Sequence, residues 1–253
     1  MDKKSVIRNF SKAARLYDEY ADIQRLAAFE LLSRQPRDEC RNILEIGCGT
    51  GIYTSLLKEK FDKAALKAVD ISAEMIRVAE GKLKGGVEFT VADAEDVLPY
   101  GNFDLITSNA SMQWFADLEA ALRKCSAKLM ENGVLLFSIF GPQTFMELES
   151  AIKDVSKGKS VVASQFNSKE VLEAMFKRHF RKVSIDEIKY SESFTFLMEL
   201  LSKIKHTGTA GTSMANNIFS GPNRLKEIEK VYKSTFGAIT ATYQVFFCRC
   251  EAL

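Results

Sequence analysis

At 253 residues, 46% apolar and 27% charged, the chain is long enough for one sizeable α/β body with an added lobe, and too short for two independent cores. That composition excludes wholesale disorder, and a net charge of +2 excludes the strongly basic footprint of a nucleic-acid-binding domain. Residues 151–235 are nevertheless basic, with 15 Lys and Arg against 9 Asp and Glu.

From Ser5 to Tyr20 the apolar residues Val6, Ile7, Phe10, Ala13, Ala14, Leu16 and Tyr17 recur at helical spacing, and Leu26 to Leu32 continues in a second helix. Apolar runs at 43–46, 66–69, 87–91, 103–108 and 134–140 then alternate with helical stretches at 51–60, 72–84 and 117–130. Continuous apolar strands separated by helices predict a mostly parallel sheet covered on both faces. Beyond Gly141-Pro142 the pattern predicts helices at 143–156, 168–178, 194–205 and 222–235, and strands near 183–189 and 242–250. These later helices exceed what the sheet can take, so some are expected to form a lid. A loop of small residues spans 208–213.

The five cysteines, Cys40, Cys48, Cys125, Cys248 and Cys250, are odd in number and scattered. They lack the paired C-x-x-C spacing of a zinc or redox site, so reduced thiols and no metal are expected. Cys248 and Cys250 share one face of a strand and are expected to pack there. The first twenty residues lack a leader's apolar core and cleavage site, and no run of eighteen apolar residues occurs. A cytoplasmic protein without a membrane partner is expected.

The chemistry is carried by Glu45-Ile46-Gly47-Cys48-Gly49-Thr50-Gly51, which joins the first strand of the alternating region to a helix. Glycines there let the backbone approach a nucleotide closely, because no Cβ intervenes. A dinucleotide fingerprint needs Gly or Ala where Ile52 stands, which counts against NAD. Glu45 beside the loop would repel a pyrophosphate but orient a cationic amino group, which fits adenosylmethionine. Asp70 ends the next strand and suits ribose hydroxyls. Asp93-Ala94-Glu95 ends the third strand and suits an adenine amino group. The fourth strand ends in Ser108-Asn109-Ala110-Ser111-Met112-Gln113-Trp114, on the edge where a transfer site is expected.

Through these motifs residues 40–140 resemble the class I methyltransferases, and features outside the core are similar to the malonyl-[acyl-carrier protein] O-methyltransferases of biotin synthesis. Those features are Asn9-Phe10-Ser11-Lys12-Ala13-Ala14 with Tyr17-Asp18, Ala21 and Gln24, then Asn109 to Trp114. Phe137 to Gly141, Thr144 to Leu148, Ser193-Phe194 and Thr242-Tyr243 extend the likeness. The resemblance implies a Rossmann-like class I fold: an α/β, mostly parallel seven-stranded sheet with helices on both faces and a helical lid. It implies one domain over 1–253, with lid helices in 1–35, a cofactor core in 40–141, a segment 142–235 that includes the substrate lid, and a terminal strand in 236–253. It also implies S-adenosylmethionine as cofactor, malonyl-acyl carrier protein as substrate, and cofactor contacts from Tyr17, Gln24, Glu45, Gly47, Gly49, Asp70, Ile71, Met75, Asp93, Ala94 and Asn109.

Methylation of a carboxylate needs no general base, since the nucleophile is already ionised at neutral pH. Selecting a carboxylate does call for donors or a cation in the lid, and Lys205 and His206, before the 208–213 loop, are the candidates, although cations also suit a helix C-terminus without any further role. The basic runs Lys177–Lys182 and Arg224–Lys233 are either docking surfaces for an acidic carrier protein or solvated faces. Another small carboxylic acid as substrate, a non-catalytic nucleotide-binding module and an NAD-dependent reductase remain the competing readings.

Overall fold

The computed structural model describes residues 2–156, 160–209 and 222–252. Seven strands form a single sheet: β1 (Asn42–Ile46), β2 (Ala65–Asp70), β3 (Glu88–Val91), β4 (Phe103–Asn109), β5 (Leu129–Phe140), β6 (Lys182–Phe194) and β7 (Ile239–Glu251). Their spatial order is β3-β2-β1-β4-β5-β7-β6, with β7 antiparallel to both of its neighbours and the first five strands parallel. The order reverses between β1 and β4, so their carboxyl ends open a crevice where ligands bind in open α/β sheets.

Why the strands lack polar alternation is visible in the two cores. Ile43, Leu105, Val134 and Leu136 feed one apolar cluster, while Leu44, Ile106, Leu135 and Phe137, their immediate neighbours in sequence, feed the other. Both sheet faces are dry, so both residue parities must be apolar. Cys248 and Cys250 are wholly buried in the second cluster, and burial pushes both thiols up.

The helices begin where side chains satisfy their first free amides. Asp2 caps α1 (Lys3–Ala13), Ser72 caps α5 (Ala73–Lys82), Asp117 caps α6 (Leu118–Lys128) and Ser168 caps α8 (Lys169–Phe176). The helix expected over 5–20 is in fact two, since α1 stops at Ala13 and α2 (Tyr17–Tyr20) follows a tight turn in which Leu16 N–H donates to the Ala13 carbonyl at 2.9 Å. That break swings Asp18 onto the glycine loop, where its carboxylate accepts from Thr50 Oγ1 and pairs with Lys82. Then α3 (Asp22–Ser33) leads into β1, and α4 (Ile52–Lys60) follows the loop.

In the C-terminal half lie α7 (Met146–Val155), α9 (Leu197–His206) and α10 (Pro222–Phe236). The last two strands are longer than the periodicity predicts. Each runs thirteen residues, in unbroken register from Lys182↔Glu251 to Phe194↔Ile239, so the helix expected from 194 starts only at Leu197. β6 is the sheet's edge and displays Asp186, Glu187 and Lys189, charges that discourage further strand pairing. The loop expected at 208–213 lies outside the described residues from 210 onward. Among the described residues no helix is long and apolar enough to cross a membrane, and no cluster of His, Cys, Asp or Glu could hold a metal.

Candidate active site

The loop after β1 is fixed from both sides. Gly47 and Cys48 amides donate to the Val69 carbonyl at 2.8 and 3.1 Å, and the Gly49 amide donates to Asp70 Oδ2 at 2.9 Å. Gly47 has φ +69°, and a Cβ there would lie 1.9 Å from Ser111 Oγ. Ser111 reaches that position because Ala110, just past β4, adopts φ +50°, a strained conformation of the kind found at functional sites. Gly49 has φ +55°, and the space its Cβ would enter is open.

Two adjoining cavities flank this loop. The larger, about 750 Å³, runs between Asp70 and Asp93 and is walled by Tyr17, Gly47, Gly49, Ile71, Met75, Ala94 and Asn109. The smaller, about 300 Å³, shares Tyr17, Gly47, Gly49 and Asn109 and continues to Gln24 and Glu45. All eleven residues expected from the sequence to contact the cofactor thus line one or other of these adjoining cavities.

Their electrostatics are acidic. Glu45 is 1% exposed, its Oε2 has no hydrogen-bond partner, and burial pushes its carboxyl up to about 8, against a smaller opposing effect of Thr54. Burial also raises Asp70, while amides of Ser72 and Gly49 on its two oxygens pull it back down. Burial raises the Tyr17 phenol, with Asp70 and Asp18 adding to the effect. Asn109 is oriented at both ends, Nδ2 donating to the Gln24 carbonyl at 2.9 Å and Oδ1 accepting from Ser138 Oγ at 2.7 Å.

Lys3, Val6 and Phe10 of α1 complete the large cavity. Lys3 Nζ lies 2.6 Å from Asp93 Oδ2 and 3.0 Å from Glu95 Oε2, and these carboxylates hold the ammonium charged. No local pattern marks Lys3, because its partners are ninety residues away in sequence. The Phe10 ring packs edge-on against Trp114 at 5.7 Å.

Trp114 is also a wall of a third, narrow cavity, lined in part by α9. Gln24 is a wall common to that cavity and the small one. The third cavity's other walls include aromatics (Phe140, Phe145, Phe166, Tyr243), three threonines whose hydroxyls donate to backbone carbonyls (Thr144, Thr207, Thr209) and Lys203. The Trp114 indole N–H is buried without a partner.

The cations singled out in the sequence do not reach this cavity. Lys205 is exposed on the outside of α9, and His206 stacks on Tyr20 with centroids 4.5 Å apart while its Nδ1 lies 2.8 Å from the Ser202 carbonyl oxygen. The helix turns its inner face at Lys203 instead, two residues earlier, where the ammonium meets Asp22 at 2.7 Å and Glu192. The basic run at 177–182 is tied up in ion pairs, Lys177 with Glu173, Arg178 with Glu119, and Arg181 and Lys182 with Glu251. Lys233 in the second run pairs with Glu229.

Comparison with known proteins adds a lineage to this geometry. Residues 44–137 match a family model described as a methyltransferase domain. The chain is 34% identical to malonyl-[acyl-carrier protein] O-methyltransferase 2 of Ilyobacter polytropus, covering 93% of this chain and 92% of that protein. It is 33% identical to the malonyl-[acyl-carrier protein] O-methyltransferase of Bacillus anthracis, covering 98% and 96%. Among solved structures it is similar in fold to Haemonchus contortus phosphoethanolamine N-methyltransferase 2 in complex with S-adenosyl-L-methionine, with TM-score 0.59 and 21% identity over 96% of this chain and 57% of that one. The N-methyltransferase NodS of Bradyrhizobium japonicum, in complex with S-adenosylhomocysteine, is also similar, with TM-score 0.57 and 12% identity over 98% of each chain.

Proposed function

Because the chain belongs to the malonyl-[acyl-carrier protein] O-methyltransferase family, we propose that it methylates the free carboxylate of a malonyl thioester presented on acyl carrier protein, a step of biotin synthesis. It is an S-adenosylmethionine-dependent enzyme of the class I methyltransferase fold. The carrier protein as partner, the site residues and the division into core and lid are part of the proposal.

The residues fit the cofactor. An unpartnered oxygen on buried Glu45 suits an ammonium group, the open space over Gly49 admits close backbone approach, and Asp70 and Asp93 stand at successive strand ends for a ribose and an adenine. In this reading Tyr17, Gln24, Ile71, Met75, Ala94 and Asn109 form the remaining contacts. When bound, S-adenosylmethionine supplies an electrophilic methyl group on a cationic sulfonium.

The observation that supports the substrate reading is the third cavity, which adjoins the cofactor space and shares Trp114 and Gln24 with it as walls. Its aromatic walls exclude water, which makes an anionic nucleophile more reactive, and its position brings a guest beside the cofactor space, which favours in-line attack. The Trp114 indole N–H, buried without a partner, offers a neutral donor to a carboxylate, whereas the hydroxyls of Thr144, Thr207 and Thr209 already donate to the backbone carbonyls of Gln244, Lys203 and Ile204. Lys203 contributes its charge only in part, because Asp22 and Glu192 already engage it. No proton has to be removed, so the residues bind and align.

The test is a mass-resolved assay on malonyl-carrier protein with S-adenosylmethionine, where transfer adds about 14 Da. Methylation of free di- or tricarboxylic acids with no gain on the malonyl thioester would overturn the substrate assignment.

A further inference from the structure

The outer face of α1 is a cationic stripe. Lys4, Arg8 and Lys12 recur every four residues, which sets them on one side of the helix, and Arg15 follows in the next turn. All four are exposed, and none pairs with a carboxylate among the described residues; Arg8 donates only to Ser5 Oγ. Between Asp2 and Arg15 there are five cations and one acid, in a chain whose net charge is only +2. The run at 177–182 is largely absorbed by internal ion pairs, whereas on α10 only Lys233 is paired among the described residues, which makes Arg224, Lys226 and Lys230 the rival face. Local stability does not explain the stripe either. The first turn of α1 contains Lys3 and Lys4 and no acid, which opposes the helix dipole.

The opposite face of the same helix closes the cofactor cavity. Val6 and Phe10 line it, and Phe10 lies against Trp114, the residue shared with the third cavity. The helix also meets α9, which supplies Lys203 to that cavity. A partner on the outer face would therefore sit one helix diameter, about 10 Å, from the junction between cofactor and substrate.

We propose that the Lys4-Arg8-Lys12 stripe is the docking face for the acidic carrier protein that delivers the malonyl thioester. The proposal rests on the substrate reading above. Charge complementarity selects the occupant: an acidic domain meets four exposed cations with a single acid, Asp2, beside them, and the thioester arm has one helix to pass.

The experiment compares the full-length enzyme with the K4E/R8E/K12E variant on malonyl-carrier protein and on malonyl-N-acetylcysteamine, which carries the same acyl group without a protein. The variant is expected to lose at least about tenfold in kcat/KM on the carrier substrate and to stay within about twofold on the small thioester. Raising salt from about 50 to about 300 mM is expected to slow the parent on the carrier substrate and leave the variant unchanged. The charge-preserving K4R/R8K/K12R variant is expected to keep carrier activity. Equal losses on both substrates, undiminished carrier activity, or a larger carrier-specific loss in K226E/K230E on α10 would each overturn the docking face alone. A parent enzyme that methylates neither thioester overturns the substrate reading, and the docking proposal with it.

Discussion

A carboxyl buried as deeply as Glu45, with one oxygen unpartnered, resists ionisation until a cation arrives. Its folded pKa, about 8, lies above its unfolded value of 4.5, so between the two the folded chain binds the extra proton. The contribution of Glu45 to stability is therefore present below the unfolded pKa and lost as pH rises toward 8. Thermal melts of the cofactor-free protein are expected to show this decline, and Glu45→Gln to flatten it. Cofactor binding that requires the charged form has the opposite trend, with affinity rising up to about tenfold per pH unit from 6 to 7.5 and proton release on binding. Calorimetry in buffers of different ionisation enthalpy checks this; a pH-independent affinity would remove Glu45 as the ammonium partner. At Gly47 the constraint is steric. Gly47→Ala sets a Cβ against Ser111 Oγ at a positive φ, and is expected to cost about 2–4 kcal/mol in chemical denaturation. Adding Ser111→Gly relieves the clash but not the backbone strain, so about half of the loss should return. Glu45 and the glycines were legible because a short loop must present them in fixed order. Lys3 was not, because its place over Asp93 depends on where α1 lands.

At the scale of elements, α9 is held by charges that cross between segments. Lys203 ties α9 to α3 through Asp22 and to β6 through Glu192. Lys203→Met leaves Glu192, only 19% exposed at the side chain, without its cation. It is expected to destabilise the fold by about 2–3 kcal/mol in urea titration, since losing one member of a mostly buried pair strands the other charge. A companion Glu192→Gln should recover part of that. Unchanged stability in Lys203→Met would mean that the network is solvated. Helical spacing predicted α9 well, yet Lys203, Lys205 and His206 lie within one turn, and only packing decides which of them faces inward. The same limit explains the N-terminal helix. Its apolar pattern continues past Ala13, but contacts of Asp18 with Thr50 and Lys82 favour a turn there. The extra length of β6 and β7 is set by their mutual pairing, which neither strand announces alone.

For the molecule as a whole, the absence of any required proton transfer has a kinetic signature. A malonyl carboxylate, with a pKa near 4, is ionised across the neutral range. At saturating cofactor, kcat is expected to vary by less than about twofold between about pH 6.5 and about pH 9. A rise governed by a group near pH 7 would reveal a general base and overturn the mechanism. Measured with the Glu45 dependence, this separates binding from chemistry, because the pH effect on Glu45 belongs to cofactor affinity.

The parallel core, the glycine loop and the three acids at its rim followed from the sequence alone, because β-α alternation and loop chemistry are local patterns written in consecutive residues. Tertiary structure alone decided that Trp114 and Gln24 are walls common to the cofactor space and a third cavity, that Lys203 is the cation beside it, and that α1 shows its cations outward. Those facts depend on how distant segments pack, and side-chain periodicity carries the faces of a helix but not the neighbour each face will meet.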